Sequence, residues 1–363
     1  MNEQSIKQRI KDIQHYYGKT LSSREELAVN VCTVDSTTSD RIKEILKLIH
    51  PDVQRRFYGC GTPFPPLLEG TTVLDLGCGS GRDCFILSHL VGTEGKVVGI
   101  DATAEQIEFA QRFVDYHRQI FNYSSTNVHF QQGYIESLEQ LNLPPESIDV
   151  IVSNCVINLS VSKASVLAGM ARLLKSGGEI YFSDIFLDRR LDQSLKNDQQ
   201  IVCECIGDAL YFEDFIRLAR TAGFNDVRVI NSSLKSINNK EIEAKLGGAK
   251  LYSMTLRLFK LDLEDRCEDY GQVAIYKGNL PDAPDQFVLD REHIFETGRA
   301  VPVCRNTADM ITKSRYHTLF DLIGDGKKHY GLFNGGRPKH FDADSKVMQV
   351  YASLCTKWLW LLE

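Results

Sequence analysis

Short apolar runs separated by longer amphipathic stretches fill the chain between residues 72 and 184. Runs of this length that are rich in Val, Ile and Leu predict buried strands. They lie near 72–76, 97–100, 128–131, 148–153 and 178–184. The intervening stretches predict helices near 82–90, 104–119 and 163–174. Strands that alternate with helices indicate an α/β, Rossmann-like fold with a parallel sheet and helices on both faces.

Two more helices are predicted ahead of the first strand. Residues 4–17 place three isoleucines and a tyrosine at helical spacing, and 41–49 predict a second helix that Pro51 follows. We expect both helices to form an N-terminal cap over a ligand site at the sheet.

After about residue 230 the hydrophobic pattern changes to a period near two. Residues 253–260 alternate in this way, and 273–276 and 286–289 predict further short strands. The pattern therefore predicts a small β-rich C-terminal domain, and we divide the chain into regions 1–230 and 231–363.

Composition narrows the class of protein. The chain has 363 residues, a length that is enough for one α/β domain and a smaller one. Hydrophobic residues make up 43% and charged residues 25%, which is typical of a globular protein. No apolar run reaches the length of a membrane span, and the polar first residues are unlike a secretory signal. A net charge of −6 disfavours a nucleic-acid partner. These features predict a cytoplasmic protein with no membrane partner, whose ten cysteines are mostly thiols.

A glycine-rich turn after the first predicted strand indicates a nucleoside site. The run is Leu74-Asp-Leu-Gly-Cys-Gly-Ser-Gly81, and a helix is predicted to follow it. Gly77, Gly79 and Gly81 allow the backbone to turn sharply and to approach a ligand closely. Asp101 ends the second strand about twenty residues on, where a carboxylate can accept both ribose hydroxyls.

The spacing of these glycines separates two classes of cofactor. The dinucleotide fingerprint Gly-x-Gly-x-x-Gly binds a diphosphate at a helix N-terminus. Here the spacing is Gly-x-Gly-x-Gly with Asp75 ahead of it, which resembles motif I of the class I S-adenosylmethionine methyltransferases. Their ligand carries an amino-acid tail, and an acid near Asp75 suits its ammonium. The remaining alternative is a glycine-rich structural turn in another α/β fold.

Four cysteines stand in distinctive local sequences: Asn30-Val-Cys32, Arg56-Phe-Tyr-Gly-Cys60-Gly, Ser153-Asn-Cys155-Val-Ile-Asn-Leu and Glu204-Cys205-Ile-Gly-Asp-Ala-Leu-Tyr. These sequences closely resemble those of the arsenite methyltransferases. The runs Gly133-Tyr-Ile-Glu136 and Leu256-Arg-Leu-Phe-Lys260 also fit this family, and the resemblance covers roughly residues 11 to 315. It implies methylation of arsenite in arsenic detoxification, with S-adenosylmethionine as the methyl donor.

The resemblance implies that Cys60, Cys155 and Cys205 bind trivalent arsenic, a soft element that prefers thiolates. It also implies that arsenite and methylarsenite are substrates, and that Cys32 and Cys60 form a disulfide which thioredoxin or glutathione reduces. Arsenic attacks through a lone pair and carries no proton, so no general base is needed. Independently of the family, Cys155 follows the fourth strand, at the sheet edge where ligands bind in such folds.

Cofactor contacts beyond the glycine turn are implied by the same family. The ring of Tyr58 is expected to face the cationic sulfonium, and Ile135 and Glu136 are expected beside the adenine. The full predicted set is Tyr58, Asp75, Gly77, Gly79, Gly81, Asp101, Ile135, Glu136 and Asn154.

The chain departs from the family pattern at Asp208, where glycine is usual. Its carboxylate is expected to disfavour the neighbouring Cys205 thiolate by repulsion, while Cys203 could compete with Cys205 for arsenic. The other cysteines are interpreted as small core residues. They are Cys78, Cys84, Cys267, Cys304 and Cys355. Two functions stay open: a thiol-rich arsenic-binding sensor without turnover, and a methyltransferase for another metalloid or small molecule.

Overall fold

The computed structural model describes residues 3–20, 39–192, 195 and 206–333. Within these residues the largest sheet has eight strands, in the order β3-β2-β1-β4-β5-β8-β7 with β6 beside the end of β5. Its strands are β1 (Thr72–Leu76), β2 (Lys96–Asp101), β3 (Val128–Gln132), β4 (Ile148–Asn154), β5 (Leu174–Leu187), β6 (Leu210–Tyr211), β7 (Val227–Lys235) and β8 (Leu251–Phe259).

The five strands predicted from apolar runs are all present in this sheet and pair in parallel. β1 lies at the centre, with Val73 opposite Val97 of β2 on one side and Val150 of β4 on the other. β8 runs antiparallel to both β5 and β7, so the sheet is mixed rather than wholly parallel. Ligand-facing side chains therefore collect at the carboxyl ends of β1, β2 and β4.

Helices cover both faces of the sheet, as predicted. α4 and α5 pack with Val73 and Val150 in one core cluster, and α7 and α8 pack with Leu74 and Leu76 in another. The helices are α1 (Glu3–His15), α2 (Asp40–Leu48), α3 (Pro51–Arg55), α4 (Arg82–Val91), α5 (Ala104–Gln111), α6 (Val114–Ile120), α7 (Lys163–Leu173), α8 (Phe212–Thr221), α9 (Lys240–Lys245) and α10 (Arg305–Thr312). The helix predicted over 104–119 is thus two helices, α5 and α6.

The two N-terminal helices have different roles. α1 continues into a π-helical turn, Tyr16–Thr20, and its inner face lines the main cavity. α2 instead buries Ile42 and Ile45 against α4, on the outside of the sheet layer. The prediction that both helices cap the ligand site is therefore wrong for α2, because its apolar face is taken up by α4.

The C-terminal region contains a second, smaller core. β10 lies between β13 and β14, and α10 packs beside them. Aromatic side chains fill this core, among them Tyr276, Phe287, Tyr316 and Phe320. The strands of this region are β9 (Glu268–Asp269), β10 (Gln272–Tyr276), β11 (Gln286–Val288), β12 (Ile294–Glu296), β13 (Ala300–Val303), β14 (Phe320–Ile323) and β15 (Gly331–Leu332).

The predicted division of the chain at residue 230 needs correction. It falls inside β7, and the alternating segment at 253–260, which we assigned to the C-terminal domain, forms β8 of the central sheet. The alternating pattern led to the wrong assignment because Arg257, the charged residue within it, is fully buried where it pairs with Glu179 of β5. The smaller core begins with Phe259, the last residue of β8.

A buried ion cluster joins the central sheet to the smaller core. Arg257 Nε lies 2.9 Å from Glu179 Oε2, and Arg315 pairs with the other oxygen of the same carboxylate. The hydroxyl of Tyr316 also donates to Glu179 Oε1 at 2.9 Å. Because Arg315 and Tyr316 belong to the smaller core and Glu179 to β5, this carboxylate ties the two together.

Replacing Glu179 should strongly destabilise the protein. Glu179→Ala leaves the buried Arg257 and the partly buried Arg315 without their counter-charge, an effect worth about 3–5 kcal/mol in buried pairs. Glu146→Ala is the matched control, since Glu146 pairs with Lys260 at 2.9 Å but is 64% exposed; exposed pairs contribute about 0–1 kcal/mol. Urea unfolding measures both, and equal losses for the two variants would contradict the role of the cluster.

No helix in the described ranges is long and apolar enough to cross a membrane.

Candidate active site

The glycine turn forms the floor of the main cavity. Gly77 and Gly79 have positive φ angles of 74° and 51°, and a Cβ on Gly77 would lie 2.4 Å from the side chain of Val156. The backbone can take this course only without side chains at these positions. Gly81 has a different role: it does not line the cavity but starts α4 and packs against Phe130.

Asp101 lies at the carboxyl end of β2 and holds the turn in place. Its Oδ2 accepts from the N–H of Gly79 at 3.0 Å, and its Oδ1 accepts from the N–H of Thr103 at 2.8 Å. Burial raises the pKa of this carboxyl above its usual range. Each oxygen keeps a second lone pair, so the carboxylate can also accept hydroxyl groups from a ligand in the cavity.

The cavity has a volume of about 1050 Å³, part of it open to solvent. It brings together every predicted cofactor residue except Gly81. Those that line it are Tyr58, Asp75, Gly77, Gly79, Asp101, Ile135, Glu136 and Asn154. They come from segments far apart in the chain, which the carboxyl ends of β1, β2 and β4 bring to one edge of the sheet.

Asp75 is buried at the base of the cavity. Burial, and then the neighbouring Asp83, raise the pKa of Asp75 to about 8, while a hydrogen bond from the thiol of Cys84 at 3.1 Å opposes this rise. A cation in the cavity would favour the ionised form. The position therefore fits the ammonium of an amino-acid tail.

The wall formed by α1 and the turn that follows it agrees with the cap predicted from the sequence. Ile10, Ile13, Gln14 and Tyr17 all line the cavity. Gln14 Nε2 donates to the carbonyl of Ala102 at 2.7 Å and so fixes α1 to the loop after β2. The helical spacing of the isoleucines revealed the apolar face, but it did not identify the polar contact that Gln14 makes.

Gln106 is a second residue that the sequence analysis missed. Its Nε2 donates to the carbonyl of Tyr17 at 2.8 Å, which leaves Oε1 buried and without a hydrogen-bond partner. Buried acceptors are normally satisfied, so this atom fits a donor on a bound ligand. The glycine floor, Asp101, Asp75 and Gln106 together suit a nucleoside with a charged amino-acid tail.

Cys60 and Cys155 lie side by side at the edge of this cavity. A disulfide joins them, with their Cα atoms 5.9 Å apart, and both side chains are buried. Cys155 also lines the cavity. Its backbone has a φ of 58°, and its N–H donates to the carbonyl of Ser183 on β5 at 2.8 Å. The two predicted arsenic ligands that the structure describes are therefore neighbours beside the cofactor cavity.

Asn154 holds the Cys60 segment against β4. Its Oδ1 accepts from the N–H of Cys60 at 2.9 Å and from that of Gly61 at 3.1 Å. Its Nδ2 donates to Asp83 Oδ2 at 2.8 Å, and the hydroxyl of Ser253 donates to the carbonyl of Cys60 at 3.2 Å. The amide predicted as a cofactor contact thus also positions a cysteine.

The structure joins Cys60 to Cys155, because the Asn154 contacts bring Cys60 to the end of β4. The disulfide predicted between Cys32 and Cys60 after methyl transfer stays a prediction. Cys32 lies outside the described residues, and so do Cys203, Cys205 and Cys355.

Asp208, which departs from the family pattern, pairs with Arg9 of α1. Both side chains are largely buried, at 15% and 12% exposure. A paired carboxylate repels a nearby thiolate less than a free one does, so the expected penalty on Cys205 is reduced.

This mixed sheet, with its glycine turn after β1 and its acid after β2, defines a class I S-adenosylmethionine-dependent methyltransferase. Residues 67–244 match the family described as "Methyltransferase domain", and residues 269–343 match "Arsenite methyltransferase C-terminal domain". The chain belongs to the arsenite methyltransferase family, and S-adenosylmethionine is its cofactor.

Relatives over most of the chain show the same membership. An arsenite methyltransferase of Aquipseudomonas alcaligenes is 50% identical, covering 89% of this chain and 93% of the relative. The arsenite methyltransferase of Homo sapiens is 39% identical over 88% and 84% of the two chains. The crystal structure of an arsenic(III) S-adenosylmethionine methyltransferase from Chlamydomonas reinhardtii superposes with a TM-score of 0.80 at 43% identity, covering 82% of this chain and all of the other.

Proposed function

We propose that this chain methylates trivalent arsenic, taking arsenite and methylarsenite as substrates in arsenic detoxification. The observation that carries the proposal is the position of Cys155, which lines the cofactor cavity and touches Cys60. Paired thiols beside a methyl donor suit a soft, thiophilic substrate. An organic methyl acceptor has no need of them.

Arsenite binds by exchanging its hydroxyl groups for thiols, and each exchange releases a water molecule that carries away the thiol proton. Cys60 and Cys155 supply two sulfurs, and family resemblance supports Cys205 as the third. Arsenic held in this way keeps a lone pair that can attack carbon. Bound S-adenosylmethionine supplies that carbon as a methyl group on a cationic sulfur.

The residues around the thiols align the reacting groups and exclude water. Ser183 fixes the backbone of Cys155, and Asn154 fixes that of Cys60. Ile10 and Ile13 give the cavity an apolar wall, and the ring of Tyr58, another lining residue, can stabilise the positive sulfur by about 0.5–2 kcal/mol. Alignment and a dry cavity are what a displacement at carbon requires.

Methyl transfer leaves arsenic pentavalent, so two electrons must return it to the trivalent state. Two thiolates supply them by forming a disulfide, and an external thiol, thioredoxin or glutathione, then reduces that disulfide. The predicted pair, Cys32 and Cys60, and the observed pair, Cys60 and Cys155, have Cys60 in common. Cys60 is therefore the residue that we expect in the oxidised pair.

Turnover should stop without a thiol reductant. After a single turnover of fully reduced protein, alkylation and mass spectrometry should find a disulfide that contains Cys60. The same incubation with S-adenosylhomocysteine in place of the methyl donor is the control, and it should leave no disulfide at Cys60. If all thiols were free after a completed turnover, disulfide formation would not be a step of the mechanism.

Transfer of labelled methyl from S-adenosylmethionine to arsenite tests the proposed function directly. We expect labelled methyl- and dimethylarsenicals in the presence of reductant. Arsenite binding without any labelled product would instead identify an arsenic-binding sensor, and labelling of another acceptor would identify a different methyltransferase.

A further inference from the structure

A second pair of cysteines lies in the C-terminal core, outside the active site. Cys304 immediately precedes α10 and is 2% exposed, whereas Cys267 is only half-buried. Their side chains interact, although 37 residues separate them (304 − 267). The segments that carry them are adjacent, since the Arg305 guanidinium lies 5.3 Å from the centre of the Tyr270 ring. The sequence analysis treated both as isolated core residues, and nothing in the active site uses them.

A buried cation lies close to this pair. The Arg228 guanidinium is 5% exposed, and it donates to the hydroxyl of Thr307 at 3.2 Å. The same hydroxyl lies 3.3 Å from the sulfur of Cys304. Arg228 is also paired with Asp226 at 2.7 Å and with Asp290 at 3.0 Å.

These contacts shift the acidities of the two thiols in opposite directions. The interaction with Cys267, together with the nearby Arg228 charge, lowers the pKa of Cys304, although burial opposes this. The same interaction, together with burial, raises the pKa of Cys267. The more acidic thiol of the pair is thus the buried one, and the other is the one that solvent can reach.

We propose that Cys267 and Cys304 form a second arsenical-binding site, which takes trivalent arsenicals with two replaceable ligands, such as methylarsonous acid or an arylarsine oxide. Each sulfur forms one bond to arsenic and displaces one hydroxyl. Each hydroxyl leaves as water with the proton of the thiol that replaces it, and no electrons are exchanged.

The preference for arsenicals with two replaceable ligands follows from the number of sulfurs in the pair. Among the described residues, no group of three His, Cys, Asp or Glu side chains is arranged to hold a metal ion, so the pair has no third ligand there. Two sulfurs on one rigid surface bind a two-coordinate arsenical far better than one sulfur does, because the second bond forms at high effective concentration. The ligand class fits the proposed function, but binding here does not require methyl transfer.

Protection from alkylation tests the site on the full-length, reduced chain. Phenylarsine oxide should block the labelling of Cys267 by N-ethylmaleimide, read by peptide mass mapping. Cys304→Ser removes one sulfur and should weaken this protection by about 100-fold or more. A double variant, Cys60→Ser with Cys155→Ser, is the matched control and should keep full protection.

Native mass spectrometry provides a second, independent count. The number of phenylarsine oxide molecules bound at saturation should fall by one when Cys267→Ser and Cys304→Ser are combined. An unchanged count, or equal labelling of Cys267 with and without phenylarsine oxide, would overturn the second site. Neither measurement involves methyl transfer, so this proposal and the proposed function can fail separately.

Discussion

Cys155→Ser and Cys205→Ser should each reduce methylation of both arsenite and methylarsenite by at least about a thousandfold, the scale of loss when a catalytic unit loses one member. Cys155 is the sulfur that faces the cofactor cavity, and its backbone position is fixed by β5. Serine keeps the size of the side chain but offers arsenic a hard oxygen ligand. The arsenic products are separated by chromatography and counted by plasma mass spectrometry.

Cys32→Ser and Cys60→Ser should separate the two substrates. Arsenite has three replaceable ligands, whereas methylarsenite has two because carbon already occupies one position. Both variants should therefore lose arsenite methylation and largely retain methylarsenite methylation. Loss of methylarsenite methylation in Cys60→Ser would show that the adjacent pair, Cys60 and Cys155, binds it instead. Near wild-type methylarsenite methylation by Cys155→Ser would refute the proposed metalloid site.

Asp101→Ala should weaken cofactor binding by roughly tenfold or more for each ribose hydrogen bond lost, since a bond to a charged group contributes about 1.5–3 kcal/mol. The substitution also removes the acceptors of the Gly79 and Thr103 N–H groups, which loosens the glycine turn. Calorimetric titration with S-adenosylhomocysteine measures the affinity.

Asp115→Ala is the control for the loss of a carboxylate. The side chain of Asp115 is 83% exposed and pairs with Arg118 of the same helix. Glu136→Ala tests the predicted adenine contact in the same titration, and Glu136 Oε1 also accepts from the N–H of Val161 at 3.1 Å. An unchanged affinity for S-adenosylhomocysteine in Asp101→Ala would show that this carboxylate does not bind the cofactor.

Local patterns predicted the part of the fold that lies nearest the cofactor. The apolar runs and the glycine turn are continuous in sequence, and each specifies its strand or turn without reference to distant residues. β8 was assigned to the wrong region because a period near two predicts a strand but not its neighbours in a sheet. The pairing of Arg257 with Glu179 allows the one charged residue of that strand to be buried.

Contacts between distant segments were the part that the sequence did not predict. Gln106 enters the site because its amide reaches the carbonyl of Tyr17, 89 residues away. The interaction between Cys267 and Cys304 likewise depends on how the C-terminal core packs. No spacing or motif in the sequence predicts that these residues come into contact. The position of Cys155 could be predicted because it follows a strand that was itself predicted.

The left-handed backbone at Cys155 has a cost that the chemistry of its thiol must outweigh. A φ of 58° is natural for glycine but costs an L-residue with a Cβ roughly 1–2 kcal/mol. Selection for folding alone would favour glycine or asparagine at this position. In its proposed role as an arsenic ligand, the cysteine represents a local exchange of conformational stability for reactivity, of the kind that strained residues at functional sites display.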